Sequence, residues 1–283
     1  MPPRLWLDFW RGSLYGVKTF WREAHRTLSE IVVKVYFDDA FYEVYTADPA
    51  AAAGRMEAIV AALEGHHTFE AITPAGEIDL LRVHGPRHLA YVRERGLYDI
   101  AALAAGGAVQ AARAGLGEPA FALVRPPGHH ASADSAWGFC YFNNMAVALT
   151  GLRAEGRIGR ALILDFDLHF GDGNVNILGG QPWVTIVNPE AGSAERYLEV
   201  VEGALAADGV DLVGVSAGFD NHRQDWGGLL GTEDYETMGR MVRQAAARNR
   251  GGCFGVLEGG YNHHVLGGNV RAFLRGMDGT LLP

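Results

Sequence analysis

The sequence predicts a single α/β domain with a mostly parallel sheet and helices on both faces. Short apolar runs rich in β-branched residues alternate with helical patterns along most of the chain, and such alternation is typical of parallel sheets. The length of 283 residues and the hydrophobic fraction of 48% suffice for one sizeable core. Several apolar runs end in polar clusters, and in open α/β sheets the ligand site lies at the carboxyl ends of the strands.

Composition excludes several classes of protein. The net charge of −9 and the pI of about 5.6 argue against a nucleic-acid-binding surface, because such surfaces concentrate Lys and Arg. Cys140 and Cys253 lie in apolar or glycine-rich surroundings, so we expect buried thiols in a reducing compartment rather than a disulfide. Without a membrane-spanning apolar run or a signal-peptide core, we expect a cytoplasmic protein that does not bind a membrane.

Residues 1–30 are predicted to form an aromatic, amphipathic N-terminal extension, and the catalytic domain then covers 31–283. Large apolar side chains recur in the extension at roughly helical spacing; they are Leu5, Trp6, Phe9, Trp10, Leu14, Val17, Phe20 and Trp21. We expect this stripe to pack on the protein's own core or on another subunit. Packing on another subunit would make the protein a homo-oligomer. Asp8 and Glu23 weaken the basic face that a membrane-surface helix would need.

The remaining elements follow from the pattern of apolar residues. Strands are predicted at 31–37, 121–124, the run that starts at Ala161, 184–187, 212–216 and 254–257. Helices are predicted at 55–63, 86–95, 100–112, 144–152, 194–206 and 232–247. Gly106 and Gly107 mark a place where a neighbouring element comes close. His66 and His67 are predicted to lie in a solvated loop, since no carboxylate stands nearby at ligand spacing.

The run that starts at Ala161 ends in Asp165, Asp167 and His169, which alternate along the chain. If the strand geometry continues, the three side chains project to one side. Carboxylates and an imidazole at the end of a buried strand need a cation or a hydrogen-bond network to compensate them. The pattern therefore predicts a metal site rather than a surface turn with acidic caps.

A catalytic zinc-type centre needs three protein ligands and one open position. Asp167 and His169 supply two, and Asp220, in a loop with small neighbours after another strand, is the best third, although a lone loop aspartate is often only a cap. A metal held there would make water a usable nucleophile near neutral pH and a carbonyl more electrophilic.

The loops after the other strands carry groups for proton transfer and oxyanion binding. The tandem histidines His129 and His130 follow a glycine turn, and each needs an acceptor for its second ring nitrogen. Asp165 and Asp172 can serve as those acceptors. Tyr261 could donate to an oxyanion from the side opposite the metal, or it could simply pack on the edge of the sheet.

Five motifs together resemble the histone deacetylase and acetylpolyamine amidohydrolase superfamily. They begin at Arg125 (RPPGHHA), Gly138 (GFCYFNN), Asp165 (DFDLHFGDG), Ser216 (SAGFDNH) and Glu258 (EGGYN), they occur in the family's order, and with weaker similarity they cover most of 31–275. The resemblance implies an arginase/deacetylase-like α/β fold and zinc-dependent hydrolysis of an acyl amide. The expected substrates are N-acetyl-lysine or an acetylated polyamine.

The resemblance also implies a role for each matched residue. It makes Asp167, His169 and Asp220 the metal ligands and His130 the general base and acid, with His129 as an electrostatic partner. Asp165 would then hold His129, and Asp172 would hold His130. Tyr261 would polarise the scissile carbonyl, and the substrate would contact Gly138, Phe139, Gly259 and Gly260. Arg55 would match an arginine near the acetate exit, and K⁺ would bind near Asp165, Asp167 and His169 as a structural ion.

The chain departs from the family's pattern at the mouth of the predicted site. Few residues separate Tyr91 from the alanine-rich helix, where the family has a long rim loop with an acidic residue. No counterpart of the second aromatic wall stands between Gly173 and Ser216. We therefore expect a channel that is open on one side unless residues 1–30 or a second subunit complete it.

Two other functions compete with a deacylase. A binuclear manganese ureohydrolase on the same fold would want a second aspartate-rich cluster, and the segment from Ser216 to Asp220 supplies one Asp where a pair is expected. A non-catalytic binder of acyl-lysine or polyamine would be free to lose Tyr261 or one of the histidines, and the chain retains them. The metal could be Fe²⁺ or another divalent ion instead of Zn²⁺, because an Asp-His-Asp set is a harder donor set than thiolates.

Overall fold

A computed structural model describes residues 32–279. Its seven strands form one sheet in the order β2-β1-β3-β7-β6-β4-β5, and every neighbouring pair is parallel. The strands are β1 (Lys34–Tyr36), β2 (Phe69–Glu70), β3 (Ala120–Ala122), β4 (Ala161–Asp165), β5 (Val184–Val187), β6 (Leu212–Ala217) and β7 (Gly252–Leu257). The predicted α/β class with a parallel sheet is thus confirmed.

Nine α-helices connect or follow the strands within the described residues. They are α1 (Arg55–Leu63), α2 (Glu77–Leu80), α3 (Pro86–Glu94), α4 (Tyr98–Gly115), α5 (Asn144–Ala154), α6 (Asp172–Leu178), α7 (Ala194–Leu205), α8 (Thr232–Arg248) and α9 (His263–Met277). Right-handed crossovers that run in opposite directions along the sheet place their helices on opposite faces. The strand order therefore puts α1, α7 and α8 on one face and α2 to α6 on the other, and α9 packs on α8 and α1.

The core lies between the sheet and these two helix layers. Strands β3, β4, β6 and β7 are buried at every position, which explains why their sequences read as continuous apolar runs instead of alternating ones. On the second face, α4 lies close to the preceding loop as predicted. A β-carbon at Gly106 would lie 2.1 Å from the carbonyl oxygen of Thr73, so only glycine allows this approach.

Most predicted elements match the structure, and the differences have local causes. Helix α1 and strand β5 have the predicted bounds, whereas the first strand is shorter, since only Lys34–Tyr36 pairs with its neighbours. Three elements, β2, α2 and α6, are not predicted by the sequence because they are too short to show a period. Helix α9 is not predicted either, because its HHVLGG start carries glycines that lower helical propensity.

The predicted solvated histidine pair is wrong for His67. This side chain is buried, its Nδ1 lies 3.3 Å from the carbonyl oxygen of Val33, and its Nε2 lies 3.8 Å from Asp278 Oδ2. These partners are distant in sequence, so no local pattern shows them. Both cysteines are buried and unpaired, as expected.

Two further predictions concern the ends of the chain and its relation to membranes. The aromatic extension at residues 1–30, with its predicted helix, lies outside the described residues. Among residues 32–279, no helix combines the length and apolar character that crossing a bilayer requires.

Candidate metal centre and active site

Four loops meet at the carboxyl edge of the sheet. They follow β3, β4, β6 and β7, which are neighbours in the sheet although they are distant in sequence. Because β6 lies between β7 and β4, the loops that contain Asp167, Asp220 and Tyr261 approach one another from three sides. The convergence predicted from the strand ends is therefore present.

Asp167, His169 and Asp220 form a compact cluster at this edge. One ligand atom from each residue lies within 4.8 Å of the others. The Nδ1 atom of His169 lies 3.1 Å from Asp167 Oδ1 and 3.1 Å from Asp220 Oδ2. Both carboxylates are buried, whereas the His169 side chain is 36% exposed, so the cluster opens to solvent past the imidazole.

The three residues come together by a route other than the predicted one. Strand β4 ends at Asp165, so the alternation of a continuing strand does not orient Asp167 and His169. Instead, the backbone N–H of His169 donates to Asp167 Oδ1 (2.9 Å), and the N–H of Leu168 donates to Asp220 Oδ1 (3.1 Å). These bonds turn the chain after Asp167 around the two carboxylates.

The donor set fits a divalent cation. Asp220 Oδ2 is buried, and no well-oriented hydrogen bond satisfies it, although His169 Nδ1 lies 3.1 Å away. Two buried carboxylates this close repel each other without a positive charge. Burial and the negative charge of Asp167 raise the pKa of Asp220 to about 6. Hydrogen bonds to Asp167 and Asp220 raise the pKa of His169 to about 10, so an imidazolium can balance the carboxylates when no cation does.

Two glycines let the backbone close around the carboxylates. A β-carbon at Gly218 would lie 2.0 Å from Asp167 Oδ2, and one at Gly259 would lie 2.5 Å from that atom and 2.8 Å from Asp220 Oδ2. The N–H of Gly259 donates to Asp167 Oδ2 at 2.8 Å. The predicted substrate residue Gly259 therefore touches the proposed ligands directly, whereas the carbonyl oxygen of Gly260 accepts from Arg55 Nε at 2.9 Å.

Each tandem histidine is paired with the predicted aspartate. His129 Nδ1 lies 3.2 Å from Asp165 Oδ2, and His130 Nδ1 lies 2.7 Å from Asp172 Oδ1. Asn174 donates to Asp165 Oδ2 (3.0 Å) and fixes that carboxylate from the other side. The second nitrogen of His129 lies 3.7 Å from Asp167 Oδ1, so this imidazole joins a buried aspartate to the candidate metal ligands.

The two histidines differ in their protonation. Burial favours the neutral form of His129, but the negative charges of Asp167 and Asp165 outweigh it and raise its pKa well above the usual value. Burial and the charge of His129 lower the pKa of His130 to about 4, against the hydrogen bond to Asp172. The raised pKa favours the imidazolium form of His129, and the lowered pKa favours the neutral form of His130, whose Nε2 can then accept a proton.

Tyr261 stands beside the cluster with its phenol protonated. Burial, together with the negative charges of Asp167 and Asp220, raises the pKa of its hydroxyl. The ring stacks on Trp226 with centroids 4.0 Å apart, and Phe139 meets it edge-on at 5.9 Å. Asp225 Oδ2 accepts the backbone N–H of Tyr261 at 2.8 Å. These contacts hold the Tyr261 ring and backbone in place, and its role as a hydrogen-bond donor stays a prediction.

Glu258 is a further member of the site that is not among the residues predicted from the sequence. Its side chain is buried, and its Oε2 accepts the N–H groups of Gly128 (2.6 Å) and His129 (3.2 Å). Burial raises its pKa to about 7. A glutamate directly after a wholly apolar strand is the signal that could have shown it, because an unpaired carboxylate is rarely placed there.

Trp137, Asp225 and Trp226 were also missed. Trp137 and Trp226 are 55% and 54% exposed, and each stacks on a predicted catalytic ring: the centroids of Trp137 and His130 are 3.9 Å apart. A single tryptophan or aspartate in a loop gives no periodic signal. Trp137 directly precedes Gly138, whose absent β-carbon would lie 2.3 Å from His130 Cδ2.

The two segments at the predicted mouth are short, as the sequence indicates. Only three residues separate α3 from α4, and the segment 188–193 between β5 and α7 contains no aromatic side chain. A channel that is open on one side, and completed by residues 1–30 or by another subunit, stays a prediction.

Comparison with known proteins gives the family. A model of the histone deacetylase domain matches residues 49–189 and 188–277. A protein of Methanothermobacter thermautotrophicus described as a probable deacetylase is 33% identical, and the match covers 80% of this chain and 85% of that protein. The histone deacetylase-like amidohydrolase of Pseudomonas aeruginosa is 29% identical, with 76% of this chain and 74% of that protein covered.

Two further matches agree with this result. The acetylpolyamine amidohydrolase of Burkholderia pseudomallei is 30% identical, and the match covers 84% of this chain and 73% of that protein. The crystal structure of the HDA15 HD domain superposes with a TM-score of 0.75 at 26% identity, over 88% of this chain and 91% of that chain. The chain therefore belongs to the histone deacetylase family and is a hydrolase that acts on amides.

Proposed function

We propose that this protein is a metal-dependent deacylase that removes an acyl group, acetyl in the first instance, from the amide nitrogen of a lysine-like or polyamine-like substrate. The observation that carries the proposal is the cluster of Asp167, His169 and Asp220 beside a neutral His130 and a protonated Tyr261. The names of the Pseudomonas and Burkholderia relatives support an amide substrate of this kind.

The three clustered residues would hold one divalent cation, which we propose to be Zn²⁺. The buried Oδ2 of Asp220 and the nearby Oδ1 of Asp167 offer it negative charge. The mixed oxygen and nitrogen set also suits Fe²⁺, so metal availability would decide between them. When bound, the cation lowers the pKa of a water molecule and polarises an amide carbonyl. K⁺ near Asp165 is proposed as a structural ion only.

His130 moves the proton in this proposal. Its Nδ1–H donates to Asp172, which fixes the tautomer and leaves Nε2 free as an acceptor. The Nε2 atom takes the proton from the attacking water and later returns it to the leaving amine, so the residue ends the cycle as it began. His129, as a cation held by Asp165, stabilises the negative charge that forms during attack.

Tyr261 supplies a hydrogen bond to the carbonyl oxygen as it becomes an oxyanion. Its raised pKa keeps the hydroxyl proton available for donation, and Trp226 and Asp225 hold its ring and backbone. Because negative charge on that oxygen grows only in the transition state, this bond favours the transition state over the substrate. Phe139 and the backbone of Gly138 and Gly260 would line the acyl-amine path.

Two competing functions are less well supported. A binuclear ureohydrolase would need a second cluster of ligands, and the described residues contain only the Asp167, His169 and Asp220 group. A non-catalytic binder would not need both His–Asp pairs. We further propose that the protein works in the cytoplasm on a peptide or small-molecule amide, without nucleic acid or membrane, and that residues 1–30 mediate self-association.

The test is a panel of acetyl-lysine peptides, longer acyl-lysine peptides and acetylpolyamines assayed with and without added Zn²⁺ or Fe²⁺. Tyr261→Phe and His130→Ala are expected to lower kcat by roughly 100-fold or more while one metal ion per chain still binds. Metal content and thermal unfolding show that the variants are loaded and folded. Turnover near the wild-type rate in both variants would contradict the assigned roles, and two ions per chain would favour the ureohydrolase.

A further inference from the structure

Trp137 makes two separate contacts with the pair formed by His130 and Asp172. Its indole ring lies against the His130 imidazole, with centroids 3.9 Å apart and an angle of 30° between the planes. Its Nε1–H donates to Asp172 Oδ2 at 2.9 Å. The other oxygen of the same carboxylate, Oδ1, lies 2.7 Å from His130 Nδ1. One side chain thus touches both members of the pair.

Asp172 needs this second partner because it is partly exposed. Its side chain is 33% exposed, compared with 3% for His130 and 0% for the equivalent Asp165 beside His129. Asp165 is fixed from its far side by Asn174 at 3.0 Å. Trp137 takes the place of that asparagine at the outer pair, where water would otherwise compete for the carboxylate.

The backbone around Trp137 holds the indole against His130. Gly138 and Phe139 both adopt positive φ, at 58° and 68°, and the latter is an unfavourable conformation for a residue with a side chain. Gly138 lies so close to His130 that a β-carbon would come within 2.3 Å of its ring. Residues 137–139 therefore pack tightly against the imidazole, where Trp137 contacts His130 and Phe139 contacts Tyr261.

We propose that Trp137 is a positioning residue for the general base: it fixes the Asp172 carboxylate so that Asp172 orients His130. This inference rests on the proposed function. A bond to Oδ2 restricts rotation of the carboxylate, and the stacked indole restricts tilting of the imidazole. We expect kcat to be higher with this contact than without it, because proton transfer depends on the direction of His130 Nε2.

Two other roles for Trp137 make different predictions. If its exposed face only binds substrate, its loss raises KM and leaves kcat unchanged. If it only packs the loop, its loss lowers stability and acts independently of Asp172. Coupling to Asp172 in kcat distinguishes positioning from both.

The experiment is a double-mutant cycle with Trp137→Phe and Asp172→Ala in the metal-loaded, full-length protein, assayed on an acetyl-lysine peptide. Phenylalanine keeps a stacked ring but removes the N–H. We expect it to lower kcat roughly tenfold, the size of one hydrogen bond to a charged group, with KM within about twofold. In the Asp172→Ala background the same change is expected to alter kcat by less than about twofold, because the acceptor is already gone.

Trp183→Phe is the matched control. Trp183 precedes β5, packs on the core and lies under Arg153, away from the candidate site, so this variant should keep the wild-type kcat. An equal effect of Trp137→Phe in both backgrounds, an effect confined to KM, or no effect in the wild-type background would each overturn the proposal.

A measurement that does not depend on turnover accompanies the cycle. In ¹H–¹⁵N spectra, the indole N–H resonance of Trp137 is identified as the one that disappears in Trp137→Phe. In Asp172→Ala this resonance should shift upfield, because its acceptor is gone, while the indole resonance of Trp183 should not move. An unchanged Trp137 resonance in Asp172→Ala would contradict the bond on which the inference depends. If wild-type protein with metal hydrolyses no amide of the panel but the resonance shifts, the contact stands and the proposed function fails instead.

Discussion

Gly259→Ala should damage the candidate metal centre without disturbing the rest of the fold. The added β-carbon would lie 2.5 Å from Asp167 Oδ2 and 2.8 Å from Asp220 Oδ2, whereas ordinary contacts begin at 3.4 Å. At least one carboxylate must therefore move by about 0.9 Å. Asp167 has little room to do so, because Gly218 presses on the same carboxylate and the N–H of His169 holds its Oδ1 at 2.9 Å.

This displacement sets the size of the expected effect. A misplacement of about 1 Å in a catalytic group costs roughly 100-fold in rate, and disturbed support of a ligand costs about 10- to 100-fold in metal affinity. We expect losses of that size in kcat/KM and in Zn²⁺ affinity. Hydrolysis of an acetyl-lysine peptide over a range of Zn²⁺ concentrations, together with equilibrium dialysis of the metal, measures both quantities.

Gly268→Ala is the control, because its β-carbon would meet no atom within 4 Å and it lies inside helix α9. It should leave activity unchanged and stabilise the helix by up to about 1 kcal/mol. Wild-type metal affinity and kcat/KM in Gly259→Ala would refute the assignment of Asp167 and Asp220 as ligands at this edge.

Three further predictions test other parts of the molecule. His84 accepts the N–H of Asn143 at Nε2 (2.9 Å), its Nδ1 lies 3.0 Å from the carbonyl oxygen of Ser132, and burial lowers its pKa to about 4. Because the folded protein resists protonation of His84, this residue stabilises the fold above its unfolded pKa of about 6.5, and that stability is lost as the pH falls towards 4, by at most about 3 kcal/mol. In urea unfolding, His84→Gln should therefore lose less stability than the wild type between pH 7 and 4, and equal losses in the two proteins would contradict this. Arg55 is buried and donates to the carbonyl oxygens of Gly260 (2.9 Å) and Glu258 (2.6 Å), so Arg55→Met should lower stability by about 3 kcal/mol or more in thermal or urea unfolding, and a change below about 1 kcal/mol would show that those bonds contribute little. Deletion of residues 1–30 should change the oligomeric state seen by light scattering and raise KM; an unchanged oligomer with unchanged kinetics would remove the idea that this segment completes the open side of the channel.

The sequence alone determined the fold class and the edge of the sheet at which the predicted site residues lie, but it did not show that Glu258, Trp137 and Trp226 also belong to the site. A continuous apolar run indicates a buried parallel strand, and the polar residues after it must lie at the carboxyl edge of the sheet. Both properties are local, so the order of residues along the chain is enough to assign Asp167, Asp220 and Tyr261 to one edge. The tandem histidines and their aspartates are identified in the same way.

Only the tertiary structure decided which loops touch and how each group is charged. The position of β6 between β4 and β7 brings Asp220 to Asp167, and strand order depends on crossovers that no short window of sequence contains. The raised pKa of His129 results from the carboxylates of Asp167 and Asp165, and the lowered pKa of His130 results from burial and from His129. Trp137 acquires its contact with Asp172 in the same way, because partners distant along the chain become neighbours only when the whole sheet has formed.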